Sequence, residues 1–202
     1  MAKRKGFGQV EPNHLSARYT GQIYAQLPAK DASGNAITQL ENGQFLKYDY
    51  ANGCASNNNA SAGEWMLVFN EEKLYDERYQ NHRHFALKNT DFTDKLIYPR
   101  LLKTNVGDIF TTNTFRTAGT NDTEGVTVTS GDQEITIPDL NIGEIVVVGT
   151  KGWLEKANAL PASGIAFKVV PHFTQTKKAN GTWEGTYTLP DKQWAVKLQR
   201  VQ

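Results

Sequence analysis

Glu64-Trp65-Met66-Leu67-Val68-Phe69 is an apolar run of strand length behind a single charge, and it predicts a buried β-strand. A second run, Ile145-Val146-Val147-Val148, has the same character. The stretch from Trp194 to Val201 alternates between apolar and polar residues, which is typical of a half-buried strand. No apolar run in the chain approaches the length of a membrane span. These three segments favour a mainly β protein.

The segments between these runs carry turn signals that separate further strands. Residues 30–35 have turn composition, and residues 45–50 follow as a strand candidate. Residues 52–63 are small and polar, which predicts an exposed loop at a tip of the fold. Val106-Gly107-Asp108-Ile109 and Ile142-Gly143-Glu144-Ile145 share one pattern, in which glycine permits a bend while the acidic side chain stays outside.

The predicted fold is a β-barrel or β-sandwich body with one short helix and an extended N-terminal arm. Residues 1–20 have no clear hydrophobic period and form the predicted arm, which is ordered only by what it lies against. The body spans residues 21–202, with a possible division into sub-domains at 21–99 and 100–202. The helix is expected at about 70–86, because Asn70 can cap it and aromatic residues follow at helical spacing.

Composition excludes several classes of protein. The 202 residues include 39% hydrophobic and 21% charged residues, which is ordinary for a folded domain. The 22 Lys+Arg and 21 Asp+Glu give a formal net charge of +1, so nucleic-acid binding is disfavoured. Cys54 is the single cysteine, and it cannot form an intrachain disulfide. Residues 1–8 carry charges without an apolar stretch, so we expect synthesis in a cytoplasm without a secretory signal.

The reactive side chains do not assemble a local active site. His82 and His84 would share a face only on a strand, whereas this segment is expected to be helix or loop. Cys54 lies in a polar loop without the positive charge that would activate a thiol. Paired carboxylates such as Asp91 and Asp94 have polar neighbours typical of a surface. We therefore predict no catalytic residue, no metal ligand and no cofactor, and we do not expect an enzyme.

Two features are candidates for partner binding. The cationic start of the chain, with an aromatic residue behind it, suits an arm that anchors on an acidic neighbouring subunit. It is also the composition of a frayed, solvated terminus, and so few charges make nucleic acid a weaker third option. A tryptophan at a predicted hairpin tip suits an exposed aromatic anchor. The predicted partner-binding residues are Lys3, Arg4, Lys5, Phe7 and Trp183.

Four stretches resemble small structural proteins encoded beside the major capsid gene of tailed bacteriophages, called decoration, cement or auxiliary capsid proteins. The stretches are Lys5-Gly6-Phe7-Gly8-Gln9-Val10-Glu11-Pro12, Gly21-Gln22-Ile23-Tyr24-Ala25-Gln26-Leu27-Pro28, Met66-Leu67-Val68-Phe69-Asn70-Glu71-Glu72-Lys73-Leu74-Tyr75-Asp76-Glu77-Arg78 and Lys103-Thr104-Asn105-Val106-Gly107-Asp108-Ile109-Phe110-Thr111-Thr112-Asn113. The resemblance implies a β-rich fold, no cofactor and no catalytic residues. It implies binding to the capsid surface, with the major capsid protein and further copies of the chain as partners. The implied location is the virion, after synthesis in the cytoplasm of a host bacterium.

Three other functions remain as alternatives. A tail, baseplate or head-fibre component would favour a visible repeat or a coiled coil, which the sequence lacks. A carbohydrate-binding β module would present a planar strip of exposed aromatic rings. An enzyme would bring its titratable residues together in a pocket. The residues whose convergence would indicate an enzyme are His14, His82, His84, His172 and Cys54.

Overall fold

A computed structural model of the chain describes residues 3–16, 24–70, 86–89, 96–115, 133–172, 175–181, 183–184 and 194–202. The protein is mostly β, which confirms the predicted fold class. The strands are β1 (Lys3–Lys5), β2 (Val10–His14), β3 (Ala25–Gln26), β4 (Ala29–Lys30), β5 (Gln39–Leu40), β6 (Phe45–Asp49), β7 (Cys54–Ser56), β8 (Trp65–Val68), β9 (Leu87–Lys88), β10 (Arg100–Leu102), β11 (Ile109–Thr112), β12 (Glu134–Thr136), β13 (Ile145–Val148), β14 (Leu154–Ala157), β15 (Ala166–Val169), β16 (Thr176–Lys177), β17 (Trp183–Glu184) and β18 (Val196–Arg200). A 3-10 turn, Thr150–Gly152, lies between β13 and β14.

The first large sheet is built around β8 and has six strands in the order β3-β10-β8-β6-β7-β4. All four residues of β8 are buried, which confirms the prediction of a buried strand. Trp65 and Leu67 point into one hydrophobic cluster, whereas Met66 and Val68 point into another. Since successive side chains of a strand point to opposite faces, this sheet buries apolar surface on both faces.

The second large sheet curls towards a barrel. Its six strands have the order β14-β13-β15-β18-β11-β2. Phe115, just after β11, forms an isolated bridge with Leu154 at the start of β14, and this brings the sheet back on itself. Alternate residues of β18 are buried, as the sequence pattern predicts.

One hydrophobic cluster joins the two sheets. Phe45 on β6 packs with its ring centroid 6.2 Å from Phe110 and 5.5 Å from Phe167, and the latter two lie on β11 and β15. Trp65 and Leu67 of the first sheet belong to the same cluster. The two halves of the chain, which supply most of the first and second sheets respectively, therefore share a core.

The repeated apolar-Gly-acid-Ile pattern forms the same turn twice. Gly107 and Gly143 both have φ of 97°, a conformation that favours glycine, so the predicted bend is present at both positions. The acid at the end of each turn accepts a hydrogen bond from the backbone N–H three residues earlier, at 2.9 Å for Asp108 and 2.8 Å for Glu144. Asp108 is nevertheless buried, and it also accepts hydrogen bonds from the N–H and the hydroxyl group of Ser16. This corrects the expectation that the acidic side chain stays outside.

The predicted exposed loop at residues 52–63 contains a buried strand. Cys54–Ser56 forms β7, which pairs with β6 and, in parallel, with β4. Ala55 is fully buried opposite Ala29. Small side chains at both positions let the strand fit into the sheet, which explains why a stretch of low hydrophobicity lies inside the protein.

The N-terminal segment belongs to the body, and this corrects the expectation of a separate arm for residues 3–16. Strand β1 pairs with β12, and β2 forms an edge of the second sheet beside β11. Phe7 is buried with Ala86 and Ile135. The backbone of this segment is held by its strand pairing with β11 and β12.

A buried ion pair fastens the same segment to the first half of the chain. Arg4 Nη1 lies 3.0 Å from Glu41 Oε2, and the two side chains are 1% and 2% exposed. The Gly8 N–H donates to the same carboxylate oxygen, and a Cβ at Gly8 would overlap Arg4 Nη1. The Arg4 guanidinium also lies over the Trp153 ring, 5.4 Å from its centroid. Such a pair requires close contact between the two charged groups, because their attraction must offset the cost of removing both from water.

The predicted helix at about 70–86 lies outside the described residues, apart from its two ends at Asn70 and Ala86. Asn70 instead contributes to the end of the first sheet. Its N–H donates to Asn42 Oδ1 at 2.8 Å, and its own Oδ1 accepts the Arg100 N–H at 3.1 Å.

Replacing Arg4 with alanine should destabilise the protein, because it leaves the Glu41 carboxylate buried without its cation. We expect a loss of about 3–5 kcal/mol in the free energy of unfolding near neutral pH, measured by urea denaturation. Burial raises the pKa of Glu41. A carboxyl group with a raised pKa in the folded state stabilises the fold at low pH and loses that contribution as pH rises through this pKa. Arg4 lowers this pKa, so its removal raises the pKa of Glu41 further. At about pH 4 the carboxyl group is then protonated and needs no cation, so the loss caused by Arg4→Ala should shrink there.

The matched control is Lys5→Ala on the same strand, where the side chain is only half-buried. Its expected loss is below about 1 kcal/mol. Equal losses for both variants, or an Arg4→Ala loss that does not change with pH, would contradict the role of the ion pair.

Candidate interaction surface

Three tyrosines meet at one end of the first sheet. Tyr48 lies on β6, Tyr50 follows that strand, and Tyr24 precedes β3. The backbone N–H of Tyr24 donates to the carbonyl of Leu101 at 2.8 Å, which fixes it beside β10. Tyr48 packs against the hydrophobic cluster that contains Met66 and Val68. We call Tyr24, Tyr48 and Tyr50 the tyrosine surface.

The tyrosine surface is exposed and held in a fixed geometry. Tyr24 and Tyr50 are 46% and 67% exposed, so they are among the few large apolar side chains in the described structure that face solvent. Their hydroxyl groups lie 2.7 Å apart and share a hydrogen bond. The Tyr48 ring centroid lies 5.9 Å from that of Tyr24 and 3.8 Å from that of Tyr50. These contacts keep two exposed rings in place without a partner.

A row of charged side chains connects the tyrosine surface to the second sheet. Lys103 Nζ lies 5.9 Å from the centroid of the Tyr24 ring and 3.4 Å from Glu64 Oε2. Glu64 Oε1 in turn lies 2.6 Å from Arg200 Nη2. Arg200 is buried, and its Nη1 also donates to the Thr104 carbonyl. The charges beside the tyrosines are therefore anchored through a buried residue.

The geometry of the tyrosine surface favours contact with a protein. The angle between ring planes is 87° for Tyr24 and Tyr48 and 67° for Tyr48 and Tyr50, so the three rings are steeply inclined to one another. A flat strip of coplanar rings, as expected of the carbohydrate-binding alternative, is not formed by these three residues. Tyrosine is enriched at protein interfaces because it offers a large apolar contact and a polar hydroxyl group at low entropic cost.

The residues that the sequence predicted for partner binding are placed differently. Arg4 and Phe7 are both 2% exposed and contact the protein's own side chains, so neither is available to a partner in this structure. Lys5 is half-buried on β1. Trp183 begins β17 and pairs with Lys177 of β16, so it lies on a strand beside the turn and not at the predicted hairpin tip. The side chains of Trp183 and Lys3 lie outside the described part of the structure.

The titratable side chains are spread over the fold. Cys54 is buried in the first sheet, and its charged neighbours are Asp49 and Lys30. His172 is buried beside the second sheet, where its charged neighbours are Lys197 and Glu11. His14 is exposed at the end of β2, and His82 and His84 lie outside the described residues. Within the described ranges, no three His, Cys, Asp or Glu side chains are grouped to hold a metal ion.

The sequence contained a signal for part of the tyrosine surface. Tyr48 and Tyr50 are two positions apart near the end of a predicted strand, and such residues share a face. Nothing local indicated that Tyr24 joins them, because its position depends on the pairing of β3 with β10.

Comparison with known proteins found no matching family model, no similar curated protein and no similar solved structure. In the part of the chain that the structure describes, no helix has the length and apolar character needed to cross a membrane.

The hydrogen bond between Tyr24 and Tyr50 should be visible in a pH titration. The bond to Tyr24 raises the pKa of Tyr50 to about 12, because Tyr50 must give up a shared proton when it ionises. We expect Tyr24→Phe to return the Tyr50 pKa towards its ordinary value of 10.0, as followed by the ring carbon shifts of labelled tyrosine. The control is Tyr98→Phe, a half-buried tyrosine at a distinct site just before β10. An unchanged Tyr50 pKa in Tyr24→Phe would contradict the hydrogen bond.

Cys54 should react slowly with dithionitrobenzoate in the native protein. Burial is the main cause that raises the pKa of its thiol, and the nearby Asp49 carboxylate raises it further, so little reactive thiolate forms. We expect the rate to increase strongly in urea. The control is an exposed thiol in the turn that follows β4, Ser33→Cys combined with Cys54→Ala. A native Cys54 rate within about ten-fold of the exposed control would contradict the burial of β7.

Proposed function

We propose that the protein is a non-catalytic structural component of a tailed-bacteriophage virion that binds the capsid shell and stabilises or decorates it. The proposed partner is the major capsid protein. The sequence resemblance in four stretches supports this class of function. The observation that carries the mode of binding is the exposed tyrosine surface.

The tyrosine surface has properties that favour a binding contact. Residues that dominate interface energies are often tyrosine, tryptophan or arginine at the centre of a contact. Tyr24 and Tyr50 are already held by their shared hydrogen bond and by Tyr48, so binding would cost little side-chain entropy. Lys103 and Glu64 beside them are partly exposed charges of the kind found at the rim of an interface.

The N-terminal segment has a structural part in this proposal. The sequence suggested that Lys3 to Phe7 would anchor on the shell, but Arg4 and Phe7 are occupied within the fold. The proposed contact therefore lies on the β body.

A capsid shell can be bound through a small contact such as the tyrosine surface. A shell presents many equivalent positions, so further copies of the chain can bind side by side, and an oligomer would gain from several weak contacts at once. Association between copies is part of the proposal. Because several copies bind at once, the proposal does not require the tyrosine surface to form a large interface.

Co-sedimentation with empty phage shells that lack the protein tests the proposal. We expect saturable binding by the wild-type chain, and an apparent affinity at least about ten-fold weaker for Tyr24→Ala combined with Tyr50→Ala. The matched control is Leu160→Ala, which removes an apolar side chain that is 54% exposed elsewhere on the surface. The control should bind like the wild type.

Two outcomes would count against the proposal. Wild-type binding that the double tyrosine variant retains would remove the tyrosine surface from the contact. Failure of the wild-type chain to bind any shell would reject the capsid role.

A further inference from the structure

A cleft of about 330 Å³ lies between the connection from β4 to β5 and the Thr150–Gly152 turn. Its volume is at the low end of the range of about 300–1,000 Å³ that is usual for small-molecule sites. It has no residue in common with the tyrosine surface. The side chains around it that matter for a ligand are Asp31, Glu41, Gln44, Asn57, Lys151 and Trp153.

The walls of the cleft are held in place before any ligand arrives. Gly152 lies so close to β6 that a Cβ there would overlap the Phe45 carbonyl oxygen. Lys151 beside it is held at a positive φ of 56°. Asp31, which also lines the cleft, accepts hydrogen bonds from the N–H groups of Ser33 and Asn35 at 2.9 and 2.8 Å. A pre-formed site of this kind loses little entropy on binding.

The charges of the cleft balance each other. Glu41 in the lining is paired with Arg4, which is not itself a lining residue. Asp31 and Lys151 both line the cleft and carry opposite charges. Two negative and two positive groups leave no excess charge to attract a phosphate, a metal ion or a cationic ligand. The balance favours a neutral ligand.

The polar groups in the cleft include both donors and acceptors. The contacts of the Glu41 carboxylate within the described residues engage Oε2. The side-chain carbonyl of Gln44 accepts the Glu41 N–H at 2.7 Å, which leaves the amide NH2 end of Gln44 as its donor. Asn57 uses its backbone N–H to bond the Lys30 carbonyl, so its side-chain amide is not needed for that strand contact. Carboxylates and amides close together suit hydroxyl groups, because a hydroxyl both donates and accepts.

The same cleft has an apolar part. Trp153 lines it, and the Arg4 guanidinium lies over one face of the indole ring. Ile37 and Leu40 add aliphatic surface. A ligand with C–H groups on one side and hydroxyl groups around its edge would match an apolar contact that is ringed by carboxylates and amides.

We propose that this cleft binds a neutral saccharide, one or two sugar units in size. The sugar hydroxyls bond Glu41, Gln44 and Asn57, and its C–H face lies against Trp153. This site is separate from the tyrosine surface, so saccharide binding and shell binding are independent properties of the molecule.

Titration of the full-length, nitrogen-15-labelled protein with glucose, galactose, N-acetylglucosamine and maltose tests the proposal. The signal is the indole N–H resonance of Trp153, which is assigned by its absence from the Trp153→Phe spectrum. We expect a saturable shift of this resonance with at least one of the four sugars. Asn57→Ala should weaken that binding by about five-fold, the effect of one lost hydrogen bond.

The matched control is Asn59→Ala, two residues further along the same loop and outside the cleft. It should bind the sugar like the wild type, and thermal melting should show that both variants are folded. Three results would overturn the proposal: no saturable shift with any of the four sugars, equal binding by Asn57→Ala and the wild type, or a Trp153 shift with phosphate or glycine but not with a sugar. None of these results depends on phage shells, so they leave the capsid proposal unaffected.

Discussion

The fold depends on the burial of both faces of β8. Trp65 and Leu67 require apolar cover on one side of the first sheet, and Met66 and Val68 require it on the other. The curled second sheet covers the first side, while Leu40 and Ile97 help to cover the second. A strand with four consecutive buried residues cannot sit at the surface of a two-layer protein, since one face would expose apolar side chains to water. This constraint explains why the halves of the chain share a core.

Local patterns in the sequence were enough to predict the elements whose burial follows from their own residues. The apolar run of β8, the alternation of β18 and the turns at Gly107 and Gly143 are all of this kind. The strand β7 was missed because Ala55 and its neighbours are not hydrophobic enough to signal burial. They are buried because Ala29, a small residue on a distant segment, leaves room for them.

The same limit applies to the two sites. The tyrosine surface needs Tyr24 beside Tyr48 and Tyr50, and the cleft needs the segment around Glu41 beside the turn that carries Lys151. Each site is assembled by strand pairing between distant segments, so single-sequence patterns reveal only fragments such as the spacing of Tyr48 and Tyr50. The charged start of the chain was predicted to anchor on another subunit for a related reason, because the partner of Arg4, Glu41, is not a neighbour in sequence.

A buried ion pair at this position specifies which segment of the chain lies there. It also carries a desolvation cost that a pair of apolar side chains would avoid. Hydrophobic residues in place of Arg4 and Glu41 could fill the space with similar stability, but they would not fix which segment lies there. The pair does so, because only the correct placement of β1 brings the guanidinium to the carboxylate and to the Trp153 ring. Glu41 and Trp153 also line the cleft. Docking of the N-terminal segment therefore helps to position two residues of the cleft lining, and its release would leave the Glu41 carboxylate there without its cation.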